Sequence, residues 1–517
     1  MRKKVEDYFR DGSLDKIRSL EAENGSLRIQ LSEERERTLN TTIAMFRDRW
    51  DSALKCAGIG GMPQCYRFLD DPVHGQITVP DYAAHLLDHP IIRRLDFVKQ
   101  LSFAYLRHRS AMHSRASHSL GVAALMSKAL QNIWARGIAF DEKGPKAIDL
   151  PKGERSELLR VAFLSGLLHD IGHGPFGHAL DRYVAYRNPS NPLPKPDKHL
   201  TVQYLDTYLK ESLEGSGFDY GRLRRILDPK ESRNLDGWDA FVAELLDSAL
   251  DVDRMDYLVR DSRMTGLTAG TVNINALIER MVAYQEDGRV RLIYDKGALP
   301  YIENFLYARD IMFISCYESE NKLAAERTLV KIVQKLVESK KVDIEQLMLL
   351  TDDELLHILF YKVPSSLNCD NLILSLKNGR NFSLADDLML TKESERNAEI
   401  RSWVDARLGE QWTKALIEKP LEWEGHVARH AGLLDDQILL TVPSDECHPD
   451  KQIDARILVK DNGVFRPQRI TDFSKNVSDI GEMLARNRQV IRLFVSPDLD
   501  SEAAKRAVVE FRKLLAG

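Results

Sequence analysis

His169-Asp170, followed by His173 and His178, is where this sequence gathers residues able to do chemistry. The run Leu164-Ser165-Gly166-Leu167-Leu168 leads into the pair with apolar character on nearly every side, as expected of a buried helix. Gly172, Gly174 and Pro175 then stop it. An aspartate at the end of such a helix is half-buried, and an unpaired buried carboxylate costs several kcal/mol. A divalent cation would supply the missing countercharge. The dipeptide alone is a weak signal, because 14 histidines in 517 residues produce a His-Asp pair about once by chance.

Two other segments add to it. Arg115 and His118 are three apart, so on a helix they share a face and the guanidinium sits beside whatever the imidazole binds. A metal ligand next to an arginine suits a phosphate ester. Between Leu250 and Asp261 stand Asp251, Asp253, Arg254, Asp256, Tyr257, Arg260 and Asp261. The plain alternative there is a charged amphipathic helix with Val252, Met255 and Val259 facing the core. Together, His118, His169, Asp170 and Asp253 would make a mixed nitrogen and oxygen ligand set. It suits Mn, Fe, Zn or Mg and leaves positions for water and substrate.

The elements that must position these groups are mostly helical. Residues 1–55 read as a charged helical segment with a short seam at Ile17, Leu20, Leu27 and Leu31. Residues 67–79 alternate and turn like a small hairpin. From Leu86 to about 335 the pattern is a succession of helices, so a core spans 56–335. Asn188 to His199 holds four prolines and reads as a non-helical loop bordering the site. Residues 336–517 begin helical; Ile457–Lys460 and Val464-Phe465 flank an Asp461-Asn462-Gly463 turn, Val490–Val495 is a third strand, and a helix starts at Ser501. The expected fold is mainly α, with a small hairpin near the start of the core and a small α+β unit at the C-terminus.

Composition is that of an ordinary globular chain, 43% hydrophobic and 29% charged. A net charge of −5 argues against a chain that works mainly by neutralising nucleic-acid phosphates. The cysteines (Cys56, Cys65, Cys316, Cys369 and Cys447) are scattered, with no Cys-x-x-Cys, which fits a reducing cytosol. Charged residues at the start and the lack of a membrane-length apolar run make the expected location cytoplasmic, without a membrane partner.

The order His … His-Asp … Asp across separate helices resembles the HD-domain phosphohydrolases. The likeness narrows to the SAMHD-type deoxynucleoside triphosphate triphosphohydrolases through five motifs in order: Asp71-Pro72-Val73-His74-Gly75, Lys99-Gln100-Leu101, Arg115 to Val122, His169 to His178, and Asp251 to Tyr257. It covers roughly residues 66–320. The resemblance implies that His118, His169, Asp170 and Asp253 ligate the metal and that Arg115, Arg254 and Arg309 meet the triphosphate. It implies that Asp261 orients nearby basic groups, that Tyr257 lies on the substrate side, that Gln100 and Leu101 line the deoxyribose, and that Tyr317 excludes a 2′-hydroxyl. The family's acid and phosphate-contacting histidines fall on His173, His178 and His199. Water activated at the metal would attack the α-phosphorus, releasing a deoxynucleoside and inorganic triphosphate. His178 is the expected proton donor, because Asp181 follows three residues on and could hold its imidazole. A homo-oligomer, a nucleotide activator and a use in depleting dNTPs, as in phage defence, are further implications. Phe313 and Ser319 replace histidines of the best-known relatives and Asp96 replaces an arginine expected beside Asp88, so neither base preference nor activator is implied.

Two other readings stay open at the level of sequence. One is an HD phosphodiesterase or nuclease acting on cyclic nucleotides or single strands. The other is an inactive nucleotide-sensing scaffold. His74, His89, His108 and His113 are expected to be structural or surface histidines.

Overall fold

A computed structural model describes residues 39, 41–46, 48, 67–186, 195–268, 272–389, 420–441, 454–486 and 490–516. The described part of the N-terminal segment is helical, with Leu39 and Ile43 buried; the Ile17 to Leu31 seam lies outside the described residues. In chain order the elements used below are β1 (Arg67–Asp71), β2 (Gly75–Val79), α1 (Arg115–Arg136), β3 (Ile138–Asp141), β4 (Gly144–Ala147) and α2 (Lys152–Leu168). Next come α3 (His178–Tyr186), α4 (Pro196–Tyr204), α5 (Val252–Thr265), β5 (Met281–Glu286), β6 (Arg289–Tyr294) and α6 (Leu299–Met312). They are followed by α7 (Glu320–Glu338), α8 (Asp352–Tyr361), β7 (Ser383–Met389), α9 (Pro420–Ala431), β8 (Ile438–Thr441), β9 (Arg456–Asp461), β10 (Val464–Arg469), β11 (Val490–Val495) and α10 (Ser501–Ala516). The fold is mainly α, as expected.

Local chemistry explains the helices that carry the site. The Ser114 side chain accepts from the Ser117 amide to start α1, and Gly137 ends it in the left-handed region at φ 69°. Asp251 caps α5 by accepting from the Arg254 amide, and Gly266 closes it at φ 73°. Where α1 and α2 cross, Gly166 brings the backbones together. A Cβ at Gly166 would stand 2.7 Å from the Ala123 Cα and amide nitrogen. Because the obstacle is backbone, Gly166→Ala must push the two helices apart. We expect it to cost about 1–3 kcal/mol, read as a lower midpoint in urea denaturation, with weakened metal binding.

The hairpin near the start of the core is present as β1 and β2, paired from Arg67↔Val79 to Asp71↔Gly75. The region expected to be wholly helical also contains strands: β3 with β4 and β5 with β6. The second turn carries a signal of its own, Asp287-Gly288, and both residues have positive φ (50° and 79°) as a tight hairpin requires. Another correction concerns the proline-rich stretch. Residues 187–194 lie outside the described residues, but Pro196 occupies the first turn of α4, where a missing N–H costs nothing, so His199 is helical.

The C-terminal strands divide differently from the sequence expectation. The Asn462-Gly463 hairpin forms as β9 and β10, yet β9 pairs with β6 of the core, giving the order β10-β9-β6-β5-β3-β4. β11 instead lies between β7 and β8 in a separate antiparallel sheet. Strand patterning fixes which face is buried but not which edge is joined. The β7-β11-β8 sheet and helices α9 and α10 enclose a second core around Val427, Leu440, Ile491, Leu493 and Phe511. This is the small α+β unit.

One packed histidine confers a pH response. His89 is buried, and its Nδ1 accepts from the Ile91 amide at 3.3 Å. Burial, with the charge of His85 nearby, pushes its pKa down from 6.5 to about 4. Between those values the unfolded chain takes up a proton that the folded chain refuses. Stability is therefore intact above pH 6.5 and falls as pH drops toward 4. We expect His89→Asn, which keeps an acceptor, to flatten that slope by up to about 1 kcal/mol per pH unit in urea melts.

Candidate metal centre

His118 projects from the first turn of α1, His169 caps the C-terminus of α2, Asp170 follows it, and Asp253 lies in the first turn of α5. The helix crossing brings the four together. His118 Nε2 is 3.0 Å from Asp253 Oδ1 and 3.9 Å from Asp170 Oδ2. Among the described residues, buried His169 Nε2 has no hydrogen bond of good geometry, while Asp170 Oδ1 and Asp253 Oδ1 stand 3.2 and 3.7 Å away. The ligand atoms of His118, His169 and Asp253 all lie within 4.8 Å of one another.

The other ring nitrogens are committed. His169 Nδ1 faces the Gly166 carbonyl at 2.8 Å and His118 Nδ1 faces Asp256 Oδ2 at 2.8 Å. Both acceptors require Nδ1 to carry a hydrogen, which leaves Nε2 of each ring as the atom that could ligate a cation in the shared gap. Two imidazoles and two carboxylates around an orphaned buried nitrogen fit a divalent cation. Burial would raise the Asp170 carboxyl, but His169, His173 and Arg115 hold it well below the usual range. Arg115 Nη1 donates to Asp170 Oδ2 at 2.7 Å.

Beside this cluster His173 is buried and His178 is not. Asp181 Oδ2 sits 2.7 Å from His173 Nδ1 and 3.5 Å from His178 Nδ1, whose side chain is 71% exposed. The carboxylate expected to hold His178 therefore holds His173. Burial and Arg115 oppose charge on His173, yet Asp181 and Asp170 push its pKa up to about 9. A buried imidazolium beside the cluster has a proton it could donate, and the His178 ring packs edge-on against it at 4.8 Å. His199, half-buried on α4, makes no side-chain hydrogen bond or ion pair among the described residues. Its neighbour Asp197 places Oδ2 3.8 Å from His173 Nε2, and Thr201 ties α4 to the His169 carbonyl at 3.0 Å.

The remaining residues form an adjoining wall. Tyr317, in a π-helical turn after α6, donates to Asp261 Oδ2 at 2.7 Å, and His113 Nε2 meets the other oxygen at 2.8 Å. Asp261 thus holds a tyrosine and a histidine. Tyr257 packs against Tyr317 at 6.1 Å and His118 at 6.5 Å. Arg254 donates to Asp251 Oδ2 at 3.1 Å. Arg309 is buried and hydrogen-bonds Tyr257, but its Nε and Nη1 have no partner among the described residues. Gln100 is anchored through its backbone amide to the His113 carbonyl at 3.0 Å, Leu101 is buried beside it, and Gln100 Oε1 is buried with no partner among the described residues.

Sequence reasoning missed the struts. Arg94, fully buried, donates to the Ile171 and His173 carbonyls at 2.8 and 2.7 Å and to Met348 and Leu350 farther off. Asp352, at the start of α8, accepts from the Phe176 and Lys99 amides at 2.7 and 3.0 Å. Only the four-residue spacing of Asp256 and Arg260 was a visible signal; both Arg260 contacts to Asp256 are under 3 Å (2.8 and 2.9 Å).

The HD domain family model matches residues 115–261, a span that begins at Arg115 and ends at Asp261 and contains all four proposed ligands. Residues 115–261 are an HD domain. The chain is 29% identical to the uncharacterised protein MG461 of Mycoplasma genitalium over 52% of this chain and 60% of that protein. It is 29% identical to human deoxynucleoside triphosphate triphosphohydrolase SAMHD1 over 39% of this chain and 34% of that protein. The match spans between about half and 60% of the length of the first curated relatives. A solved phosphohydrolase from Bacteroides thetaiotaomicron shares the fold, with a TM-score of 0.58 at 22% identity over 83% of this chain and all of that one. A hypothetical protein from Aquifex aeolicus does so with a TM-score of 0.60 at 20% identity, over 86% of this chain and all of that one. Among the described residues, no helix is long and apolar enough to cross a membrane.

Proposed function

We propose that the protein is a metal-dependent phosphohydrolase that converts deoxynucleoside triphosphates to deoxynucleosides and inorganic triphosphate. The observation that carries this reading is Arg309, a buried guanidinium in the wall beside the His–Asp cluster, two of whose nitrogens have no partner among the described residues. A buried cation of that kind calls for an anion, and a phosphate tail supplies one. His118, His169, Asp170 and Asp253 would hold the cation, which when bound supplies Lewis acidity toward water and phosphoryl oxygen.

The chain's own groups do the rest. Arg115, fixed by Asp170, and Arg254 offset charge developing on the phosphoryl oxygens. His173, kept protonated by Asp181, delivers a proton to the departing 5′-oxygen. Tyr317, pinned by Asp261, and the Gln100 carbonyl meet the sugar, where the tyrosine leaves no room for a 2′-hydroxyl. His178 and His199 contact phosphate as the nucleotide enters. The SAMHD1 relatives support this substrate class, and the HD domain supports the metal.

The test is to incubate the purified protein with each dNTP and rNTP in Mn, Fe, Mg or Zn, with and without other nucleotides, and identify products by ion-exchange chromatography. Inorganic triphosphate from dNTPs alone is expected. Monophosphate with pyrophosphate would reject the bond cleaved, and turnover of cyclic dinucleotides or oligonucleotides in place of dNTPs would reject the substrate. A homo-oligomer, a nucleotide activator and a cytoplasmic setting belong to the same proposal; light scattering with and without nucleotide tests the first two.

A further inference from the structure

The turn between β1 and β2 reaches into the metal centre from outside it. His74 Nε2 stands 2.5 Å from Asp256 Oδ1, across 182 positions of sequence. Asp256 Oδ2 holds the Nδ1 of the ligand His118 at 2.8 Å. Arg260 donates to both Asp256 oxygens, and its Nη1 reaches back to Asp71 Oδ2 at 2.7 Å, so both ends of the turn grip the same pair on α5. Asp71 Oδ1 in turn accepts from the Val73 and His74 amides at 2.9 and 2.8 Å.

The Asp256 carboxylate therefore accepts four hydrogen bonds, two on each oxygen, which saturates it. The Arg260 guanidinium, donating to both of its oxygens, pairs with it as a carboxylate. As a carboxylate it can only accept, so His74 must donate from Nε2 and His118 from Nδ1. The space around it is closed as well: a Cβ at Gly121 would fall 2.0 Å from Asp256 Oδ1 and 2.4 Å from Arg260 Nη2. We infer that His74 is a positioning residue of the metal centre, fixing the Asp256 carboxylate so that it keeps the His118 ring in the tautomer and orientation that present Nε2 to the cation.

The inference rests on the metal-centre reading above. With His74 gone, Asp256 Oδ1 keeps only Arg260, and the carboxylate is free to rotate toward the guanidinium. His118 Nδ1–H then loses its acceptor, and the ring can place its proton on Nε2, where no lone pair remains for a metal. The turn itself is held by Asp71 and the backbone amides, none of which needs the imidazole.

The experiment is Mn²⁺ titration calorimetry on full-length wild type, His74→Ala and His74→Gln, with metal-free thermal melts of each. His74→Ala is expected to bind Mn²⁺ about 10- to 100-fold more weakly. His74→Gln, whose side-chain amide can donate in place of Nε2, should recover most of that loss. With dNTP substrate, kcat in saturating Mn²⁺ should recover toward wild type. A folded His74→Ala with Mn²⁺ affinity within about twofold of wild type overturns the inference, as does a His74→Gln no better than alanine. Wild type that binds no divalent cation overturns the underlying metal-centre reading instead.

Discussion

Asp170→Ala is expected to lower triphosphate release by about 10³-fold or more and to abolish stoichiometric metal binding. Its two oxygens serve different neighbours: Oδ1 lies 3.2 Å from His169 Nε2, and Oδ2 accepts from Arg115 at 2.7 Å. The substitution therefore removes one of four ligands and strands a buried arginine whose Nε already lacks a partner among the described residues. Breaking a buried ion pair from one side costs on the order of 3–5 kcal/mol, so the midpoint in urea should drop as well. Asp170→Asn separates the two effects. An amide keeps an acceptor for Arg115 and should lose less stability, but as a neutral ligand it should lose metal and activity almost as completely. Metal content by mass spectrometry, urea melts and triphosphate release measure all three. Unchanged turnover in Asp170→Ala would rule out the site.

Arg309→Met should move activity and stability in opposite directions. Arg309 is buried over the Phe313 ring, 5.3 Å from its centroid, and its Nε and Nη1 have no partner among the described residues. Burial lowers its pKa, against a smaller opposing pull from Tyr257. Methionine keeps the apolar stem and removes the unsatisfied charge, so the free protein should hold its stability or gain about 1–3 kcal/mol. Losing hydrogen bonds to a charged group costs roughly 1.5–3 kcal/mol of binding, so KM for the triphosphate should rise about 10- to 100-fold. Arg309→Lys should not rescue it, because a point charge cannot make the paired donations of a guanidinium. Calorimetric melts with and without nucleotide, beside steady-state kinetics, test both halves. A destabilised Arg309→Met with normal KM would make the guanidinium a packing group.

The two substitutions probe different layers of the same design. Asp170 is useful because opposite charges surround it. In the proposed function Arg309 does the opposite: its Nε and Nη1, without partners among the described residues, are left for an anion. His113 and His74, expected to be structural, both do more than fill space: one meets Asp261 beside Tyr317, the other meets Asp256 behind His118.

Residue types and short spacings determined a good deal on their own. A run apolar on nearly every side marked α2, the glycines and Pro175 marked its end, Asp-Asn-Gly marked the β9–β10 turn, and the His and Asp side chains pointed to a metal-binding chemistry. Those features are local, set by steric and hydrogen-bonding preferences within a few residues. The tertiary structure decided partnership. Asp181 lies three positions after His178 but turns to His173, because the glycine-rich turn folds the buried imidazole back over the start of α3. β9 joined the core sheet rather than β11. His74, Asp256 and His118 met only because close packing at Gly121 and Gly166 lets α1 approach both α5 and α2. Contacts across such distances depend on how helices cross, and a crossing is fixed by the shapes of two surfaces at once, which no single stretch of sequence contains.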